Sequence, residues 1–269
     1  MTGVRPAVVA GRFYPGAPTV LQADVRAYVG DAASPGGAVP PKALIVPHAG
    51  YVYSGPVAGF AYARLAAARD TIRRVVLFGP THRVPVRGLA LPTARAFATP
   101  LGNIDVDREA IAAARALRCV CANDAAHAFE HSLEVQLPFL QQVLGKFAIV
   151  PFAVGDATPR EVADVIGLLW GGPETLIVVS SDLSHYHGYA EARAIDQATA
   201  ANILALSPTL DHEQACGATP INGLLLCARE RGMQPELLDL RNSGDTAGDK
   251  SRVVGYASFA FAGAPNGRA

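Results

Sequence analysis

The sequence of 269 residues has few cysteines and no excess of either charge. No pair among its four cysteines has Cys-x-x-Cys spacing, which argues against a zinc knuckle or a disulfide framework. Cys119 and Cys121 are expected to be small buried side chains on one face of a strand. Basic and acidic residues each total 23, so no basic surface is available to hold a phosphate backbone and we expect no nucleic-acid partner.

Long apolar runs are also lacking. No uncharged apolar segment approaches the roughly 20 residues needed to cross a bilayer, and residues 1–16 contain no stretch typical of a signal peptide. We therefore expect no membrane partner and a cytoplasmic location. The length and the 50% apolar composition fit one large globular domain over residues 1–269, with two small domains as the alternative.

Short β-branched runs alternate along the chain with longer segments of helical period. The strands are continuously apolar, which is typical of a sheet covered by helices on both faces. We predict an α/β fold, a three-layer sandwich with a central, mostly parallel or mixed sheet. The Gly/Pro-rich residues 32–42 are predicted to form a surface loop. Predicted strands are 42–47, 73–80, 147–155, 174–182 and 252–261; predicted helices are 54–70, 107–118, 132–145, 159–171, 190–206 and 221–232.

Histidines and aspartates follow several of the predicted strands. "LIVPH" ends in His48, "VVLFGPTH" ends in His82, and "LIVVSSDLSH" contains Asp182 and His185. One such histidine is more often a structural or surface residue than a ligand. Because open α/β sheets bind ligands at the carboxyl ends of their strands, the repetition of this placement in three segments favours a functional site.

Two histidines and one carboxylate are the usual ligands of a non-haem iron(II) ion with open coordination positions. We predict His48, His82 and Asp245, which follows the strand-like "LLDLRNSGD", as the metal ligands. Iron(II) is the expected ion. Zinc suits the same ligands almost as well, and copper is a further alternative.

His185 is predicted as a general acid or base beside this metal. Asp182, three residues earlier, is predicted to orient His185 or to support the site through a hydrogen bond. The alternative is that Asp182 caps a following helix, because aspartate and serine are preferred N-cap residues.

The segment "HAFEHSLEVQLPF" adds His131 and Glu134. Three residues apart, they would share one helix face and could support the metal ligands from behind. The alternative is a polar helix start in which Ser132 acts as the N-cap.

Seven motifs together resemble the Memo family, also known as protein B of the AmmeMemoRadiSam system. The resemblance runs in order from about Ala7 to Phe261, nearly the whole chain. The motifs are "AGRFYPG", "PHAGYVYSG", "GPTH", "TPLGNIDVD", "EHSLEVQLPFL", "SSDLSHY" and "NSGDTAGDKSRVVGYASFAF".

The resemblance implies a single α/β domain similar to class III extradiol ring-cleavage dioxygenases, with a non-haem iron held by two histidines and a carboxylate. His48, His82, Asp182 and His185 match the family's motifs. Animal relatives also have a cysteine that, counted back from "GYASF", falls opposite Thr246. No cysteine is expected there in this chain, so either Asp245 supplies a carboxylate or the site has two protein ligands.

Three functions remain open from the sequence. The first is a metal-dependent oxidoreductase, dioxygenase-like, acting on a small organic substrate. The second is a non-catalytic protein that captures a peptide or partner in the same cleft, lined by Tyr51, Tyr53 and Tyr186. The third is a metal-assisted hydrolase in which His185 moves the proton.

Overall fold

The computed structural model describes residues 3–32 and 39–263. Within these residues the strands belong to one twelve-stranded sheet. They are β1 (Val4–Arg5), β2 (Ala43–Val46), β3 (Arg74–Pro80), β4 (Leu89–Leu91), β5 (Ala96–Thr99), β6 (Gly102–Val106), β7 (Val120–Ala122), β8 (Ala148–Val154), β9 (Thr175–Ser180), β10 (His185–His187), β11 (Gln234–Asn242) and β12 (Val253–Ala262).

The centre of the sheet is parallel and its margins are mixed. The strand order is β1-β5-β6-β8-β3-β9-β2-β12-β10, with β11 paired to β12 and β4 paired to β7 and β8. The β8-β3-β9-β2 neighbours are parallel, whereas β12 runs antiparallel to β2, β10 and β11. The carboxyl ends of β3, β9 and β2 therefore lie side by side at one edge.

Helices cover both faces of the sheet. They are α1 (Pro18–Asp31), α2 (Tyr51–Ala63), α3 (Arg108–Ala114), α4 (Asp124–Ala128), α5 (Leu137–Val143), α6 (Pro159–Leu168), α7 (Tyr189–Leu204), α8 (Ala218–Glu230) and α9 (Ser243–Thr246). Alternate residues of the central strands enter two separate cores: Ile45 packs in the core with α6 and α8, while Leu44 and Val46 pack in the core with α1, α2 and α5. Each such fully buried aliphatic side chain stabilises the fold by about 1.5–3 kcal/mol. The predicted three-layer α/β architecture is confirmed.

Several predicted boundaries shift. The helix expected over 54–70 begins earlier, at Tyr51, and ends at Ala63, and the helix expected over 132–145 consists of a 3-10 turn, Glu134–Gln136, followed by α5. Helix α1 was not predicted, although Pro18 stands in its first turn, where the fixed φ of proline suits a helix start. The single-domain prediction stays a prediction.

Cys119 and Cys121 were both predicted to be buried. Cys121 is exposed, so the prediction is wrong for it, and Cys119 is half-buried. β7 is a three-residue strand, and only Val120 within it turns toward the core. The loop predicted over 32–42 falls partly outside the described residues. In the described chain, no helix combines the length and the apolar character that a bilayer crossing requires.

Candidate metal centre

Three polar residues stand two positions beyond the ends of the central parallel strands. His82 follows β3, Asp182 follows β9 and His48 follows β2. Because these strands are neighbours in the sheet, the three residues meet at its carboxyl edge. The backbone N–H of His48 donates to Asp182 Oδ1 over 2.7 Å, which joins the loops after β2 and β9 directly.

His48, His82 and His131 form a compact group. One ring nitrogen from each can be chosen so that all three lie within 4.8 Å of one another. The ring centroids are 5.2 Å apart for His48 and His82, 5.4 Å for His48 and His131, and 4.6 Å for His82 and His131. His48 is buried, His131 is half-buried and His82 is exposed, so the group opens to solvent on the side of His82.

A buried hydrogen-bond chain determines which nitrogen of His48 carries its proton. The hydroxyl of Ser180 donates to the carbonyl oxygen of Ser132 over 2.6 Å, so its oxygen must accept from its other partners. Nδ1 of His48 is 2.9 Å from that oxygen and is therefore the protonated nitrogen. Gln136 Nε2 also donates to it, at 2.8 Å. The unprotonated Nε2 of His48 is left with its lone pair for a metal.

Glu130 supports the other two histidines. Its Oε1 is 2.8 Å from His82 Nδ1 and 3.3 Å from His131 Nδ1, and it accepts the backbone N–H groups of His131 and Ser132. Its Oε2 accepts the backbone N–H of His82 over 2.6 Å. When Nδ1 of a histidine donates to a carboxylate, the lone pair is on Nε2, and Nε2 is the atom that ligates the metal, as in many protein metal sites. Glu130 was not among the predicted site residues, although its place directly before His131 was a signal.

The charge states suit metal binding. Burial works against an ionised Glu130, but the hydrogen bonds from His82 and from backbone N–H groups outweigh it and lower the pKa of Glu130 to about 2. Burial, and then the neighbouring imidazoles, lower the pKa of His48 to about 3 and that of His131 to about 4. Neutral imidazoles beside an ionised carboxylate are the forms that ligate a cation.

Cys216, which was not predicted as a site residue, also lies at this group. Its Sγ is 3.4 Å from His48 Nε2 and 3.7 Å from the hydroxyl oxygen of Ser181. Burial and the charge of Asp182 raise the pKa of the Cys216 thiol to about 12. A bound cation reverses this preference, because thiols that coordinate a metal lose their proton. Cys216 comes just before α8, far from the C-terminal segment where the cysteine was sought.

Asp182 lies in the loop after β9 and His185 begins β10, close enough to His48 for its charge to lower the pKa of that ring. Burial raises the pKa of Asp182, whose Oδ2 is 3.9 Å from His48 Nε2. His185 Nδ1 lies 2.8 Å from the carbonyl oxygen of Leu183, so Nδ1 is protonated and Nε2 can accept a proton. The helix-capping alternative for Asp182 is wrong, because β10 follows it and α7 begins only at Tyr189.

Asp245, predicted as the carboxylate ligand, lies outside the three-histidine group. Its Oδ1 accepts the hydroxyl of Tyr189 over 2.5 Å, and its Oδ2 accepts the backbone N–H of Asn242, closing a capping box at α9. The hydroxyl of Thr246 faces the carbonyl oxygen of Ser243 in the same short helix. The structure thus brings His131 to the candidate ligands, while Asp245 and Thr246 have local hydrogen bonds at α9.

Glu134 points away from the histidines. It is fully buried and forms an ion pair with Arg5, at 2.5 Å, while also accepting the hydroxyl of Tyr14 and the backbone N–H of Val9. It therefore anchors the N-terminal segment through Arg5, Val9 and Tyr14. The Ser132 N-cap alternative is wrong as well, since the Ser132 hydroxyl donates to the carbonyl oxygen of Pro80.

The three tyrosines predicted to line a cleft divide into two kinds. Tyr51 is buried, and its hydroxyl donates to the carbonyl oxygen of Val135, so it packs within the fold. Tyr53 is 39% exposed and Tyr186 is 64% exposed, which leaves their rings available to a ligand. Tyr186 has a φ of 64°, and such strain in a bulky residue is found most often at functional sites. The Arg252 guanidinium lies 5.1 Å from its ring centroid.

Fold and site together define an α/β protein with a histidine cluster capable of metal binding at the carboxyl edge of its sheet. The family model described as "Memo-like protein" matches residues 5–260, and the chain belongs to this family.

Three curated relatives described as MEMO1 family proteins match over nearly their whole length. The protein of Methanopyrus kandleri is 36% identical over 280 residues, covering 96% of this chain and 98% of the relative. That of Nitrosopumilus maritimus is 32% identical, covering 96% and 99%, and that of Archaeoglobus fulgidus is 36% identical, covering 94% and 97%. The resemblance read from the seven motifs is confirmed.

Proposed function

We propose that this protein binds one transition-metal ion through His48, His82 and His131, and that Cys216 is the adjacent fourth donor. The observation that carries the proposal is that one ring nitrogen from each of the three histidines lies within 4.8 Å of the others, while Nδ1 of His48 and Nδ1 of His82 are held by Ser180 and Glu130. Three neutral imidazoles suit iron(II), copper and zinc alike, and a thiol favours the softer ions among them.

The metal proposal is tested by titrating chelator-treated protein with Co²⁺ and following the visible absorption that cobalt acquires in a nitrogen and sulfur site. Alanine substitution of His48 or His82 is expected to weaken binding at least 100-fold. His187→Ala is the control, because the ring of His187 pairs with Glu191 at the surface. Wild-type protein that binds no cobalt, or binds it as well after His48→Ala, contradicts the proposal.

Two further variants identify the remaining ligands. If His131 supplies the third nitrogen, His131→Ala weakens cobalt binding about as much as His48→Ala. If the sulfur is bound, Cys216→Ser abolishes the intense charge-transfer absorption that a thiolate confers on cobalt, while the weaker bands remain. The pair of variants therefore separates a three-nitrogen site from one that includes sulfur.

We infer that the metal site serves an oxidoreductase that acts on a small organic substrate, as in dioxygenases. Support comes from the opening beside His82 and from the two acid–base groups at the histidines. A bound ion would polarise an oxygen atom of the substrate. His185 Nε2 accepts the substrate's proton, and Asp182 keeps the loop of His48 in place through its hydrogen bond.

Turnover is tested by oxygen consumption with iron-loaded protein and a panel of catechols and other small enolic compounds. His185→Gln is expected to lose at least 100-fold in rate while it retains metal. No oxygen consumption with any compound, or an unchanged rate in His185→Gln, contradicts the oxidoreductase proposal. Release of alcohol from generic esters in the absence of oxygen would instead favour a metal-assisted hydrolase.

The exposed rings of Tyr53 and Tyr186 favour one alternative, a protein that captures a peptide without catalysis. Exposed aromatic side chains are enriched where proteins bind peptides, and Arg252 beside Tyr186 offers a cation for an acidic group. Titration with tyrosine peptides, with and without phosphate, tests this alternative. Binding that is abolished by Tyr186→Ala supports it, and no binding to either peptide refutes it.

A further inference from the structure

Tyr256 is a buried residue beside the metal centre that the proposed chemistry has not used. It lies on β12, directly after Gly255, and is 2% exposed. The backbone N–H of Gly255 donates to the carbonyl oxygen of Ser184, and that of Leu183 donates to the carbonyl oxygen of Gly255. This pairing fixes the start of β12 against the segment that contains Asp182 and leads into β10 at His185.

The side chain of Tyr256 points toward the layer that contains α2. Side chains alternate along a strand, so Tyr256 shares a face with Ala260, which packs in the core on the side of α1, α2 and α5. The ring of Tyr256 itself enters neither of the two apolar cores. It lies close enough to Tyr53, in the first turn of α2, for that phenol to influence it.

The hydroxyl of Tyr256 has no protein hydrogen-bond partner within residues 3–32 and 39–263. The other buried tyrosines all have one: Tyr14 donates to Glu134, Tyr51 to the carbonyl oxygen of Val135, and Tyr62 to Gln136. The Tyr256 oxygen is also absent from the fully buried unpaired side-chain atoms of the described residues, so this hydroxyl keeps some contact with solvent. It is therefore free to bond a ligand, whereas the hydroxyls of the other three buried tyrosines are taken up by protein groups.

The polar groups that influence this hydroxyl are residues already described near the histidines. Burial raises the pKa of Tyr256, and the charge of Asp182 and the phenols of Tyr53 and Tyr186 raise it further. The hydroxyl is thus close enough to Asp182 to feel its charge, and it remains protonated at neutral pH. A protonated phenol can donate one hydrogen bond.

We propose that Tyr256 positions the small molecule bound at the metal centre by donating a hydrogen bond to one of its oxygen atoms. The ligand would be a compact compound with at least two oxygens, one for the metal and one for Tyr256. This inference rests on the proposed metal site and adds a specificity-determining contact to it, because an analogue lacking the second oxygen would displace water from the hydroxyl without replacing its hydrogen bond.

The first measurement asks whether the hydroxyl has a structural role. If it has no partner in the folded protein, Tyr256→Phe leaves the Tm of the metal-free protein unchanged or raises it. Tyr62→Phe is the matched comparison, because it removes a hydroxyl that is hydrogen-bonded to Gln136, and it is expected to lower the Tm by several degrees. A similar drop in Tm for Tyr256→Phe overturns the inference.

The second measurement asks whether the hydroxyl binds a ligand. Cobalt-loaded protein is titrated with acetohydroxamate, a compact anion with two oxygen donors, and the shift in the cobalt absorption gives its Kd. Tyr256→Phe is expected to leave cobalt affinity unchanged and to weaken acetohydroxamate about fivefold, the loss of one hydrogen bond. Tyr189→Phe, whose hydroxyl bonds Asp245 at α9, is expected to match the wild type.

The outcomes separate the two proposals. Wild-type protein that binds no cobalt overturns the metal site and the role of Tyr256 with it. Normal cobalt binding with equal acetohydroxamate affinity in wild type and Tyr256→Phe overturns the role of Tyr256 alone. A fivefold loss confined to Tyr256→Phe, with an unchanged or raised Tm, supports it.

Discussion

Replacement of Glu130 by glutamine probes the support of the metal centre with a nearly isosteric change. The carboxylate accepts four hydrogen bonds: from His82 Nδ1 and from the backbone N–H groups of His82, His131 and Ser132. It is 2% exposed, so water cannot easily replace these partners. An amide offers only one acceptor atom, and its NH₂ group must face at least one N–H donor.

The expected cost follows from that mismatch. In the better orientation the amide oxygen replaces Oε1 and keeps the partners of that atom, while the NH₂ group faces the backbone N–H of His82. One buried unsatisfied donor costs about 1–3 kcal/mol, and the loss of charge from the other bonds adds to it, so we expect a loss of roughly 2–4 kcal/mol in unfolding free energy. Removal of the residue that orients metal-ligating histidines typically weakens metal binding about 10–100-fold.

Denaturant unfolding of the metal-free protein and cobalt titration of the folded protein measure the two effects separately. Glu191→Gln is the control, because Glu191 forms only an exposed pair with His187, worth at most about 1 kcal/mol. If Glu130→Gln matches the wild type in both measurements, Glu130 does not orient the histidines and the reasoning is refuted.

Two other predictions concern the framework around the site. Arg5→Met is expected to lower the unfolding free energy by about 3–5 kcal/mol, because it leaves the buried charge of Glu134 without its cation. Arg12→Met, at an exposed position, is the control and should change the unfolding free energy little. Equal unfolding curves for the two variants would contradict this prediction. Gly255→Ala is expected to lower the Tm by several degrees and to weaken cobalt binding, because a Cβ there would collide with the carboxylate of Asp196. An unchanged Tm would contradict this, since it would mean that Asp196 moves aside at no loss of stability.

The parts of the site carried by regular structure could be predicted from the sequence. His48, His82 and Asp182 each follow a continuously apolar strand, and such strands become neighbours in a parallel sheet, so their meeting at one edge follows from the pattern. The two-sided core is predictable for the same reason, because strands without polar alternation need helices on both faces.

The parts carried by loops could not be predicted. His131 was assigned to a helix face shared with Glu134, but the helix begins only after it, and Glu130 and Ser132 hold the preceding turn instead. Cys216 is 168 positions from His48, and no local pattern indicates that the loop before α8 returns to the strand ends. Asp245 had the strand-end signal, yet its side chain caps α9.

Metal binding by His48, His82 and His131 is the property on which the other proposals depend. Crystals grown with a transition metal, measured on both sides of its absorption edge, test it most directly. We expect one anomalous peak about 2.0–2.3 Å from Nε2 of His48 and of His82, with His131 Nε2 or Cys216 Sγ at a similar distance. A peak elsewhere in the molecule with none between His48 and His82, or no peak at all, would contradict it.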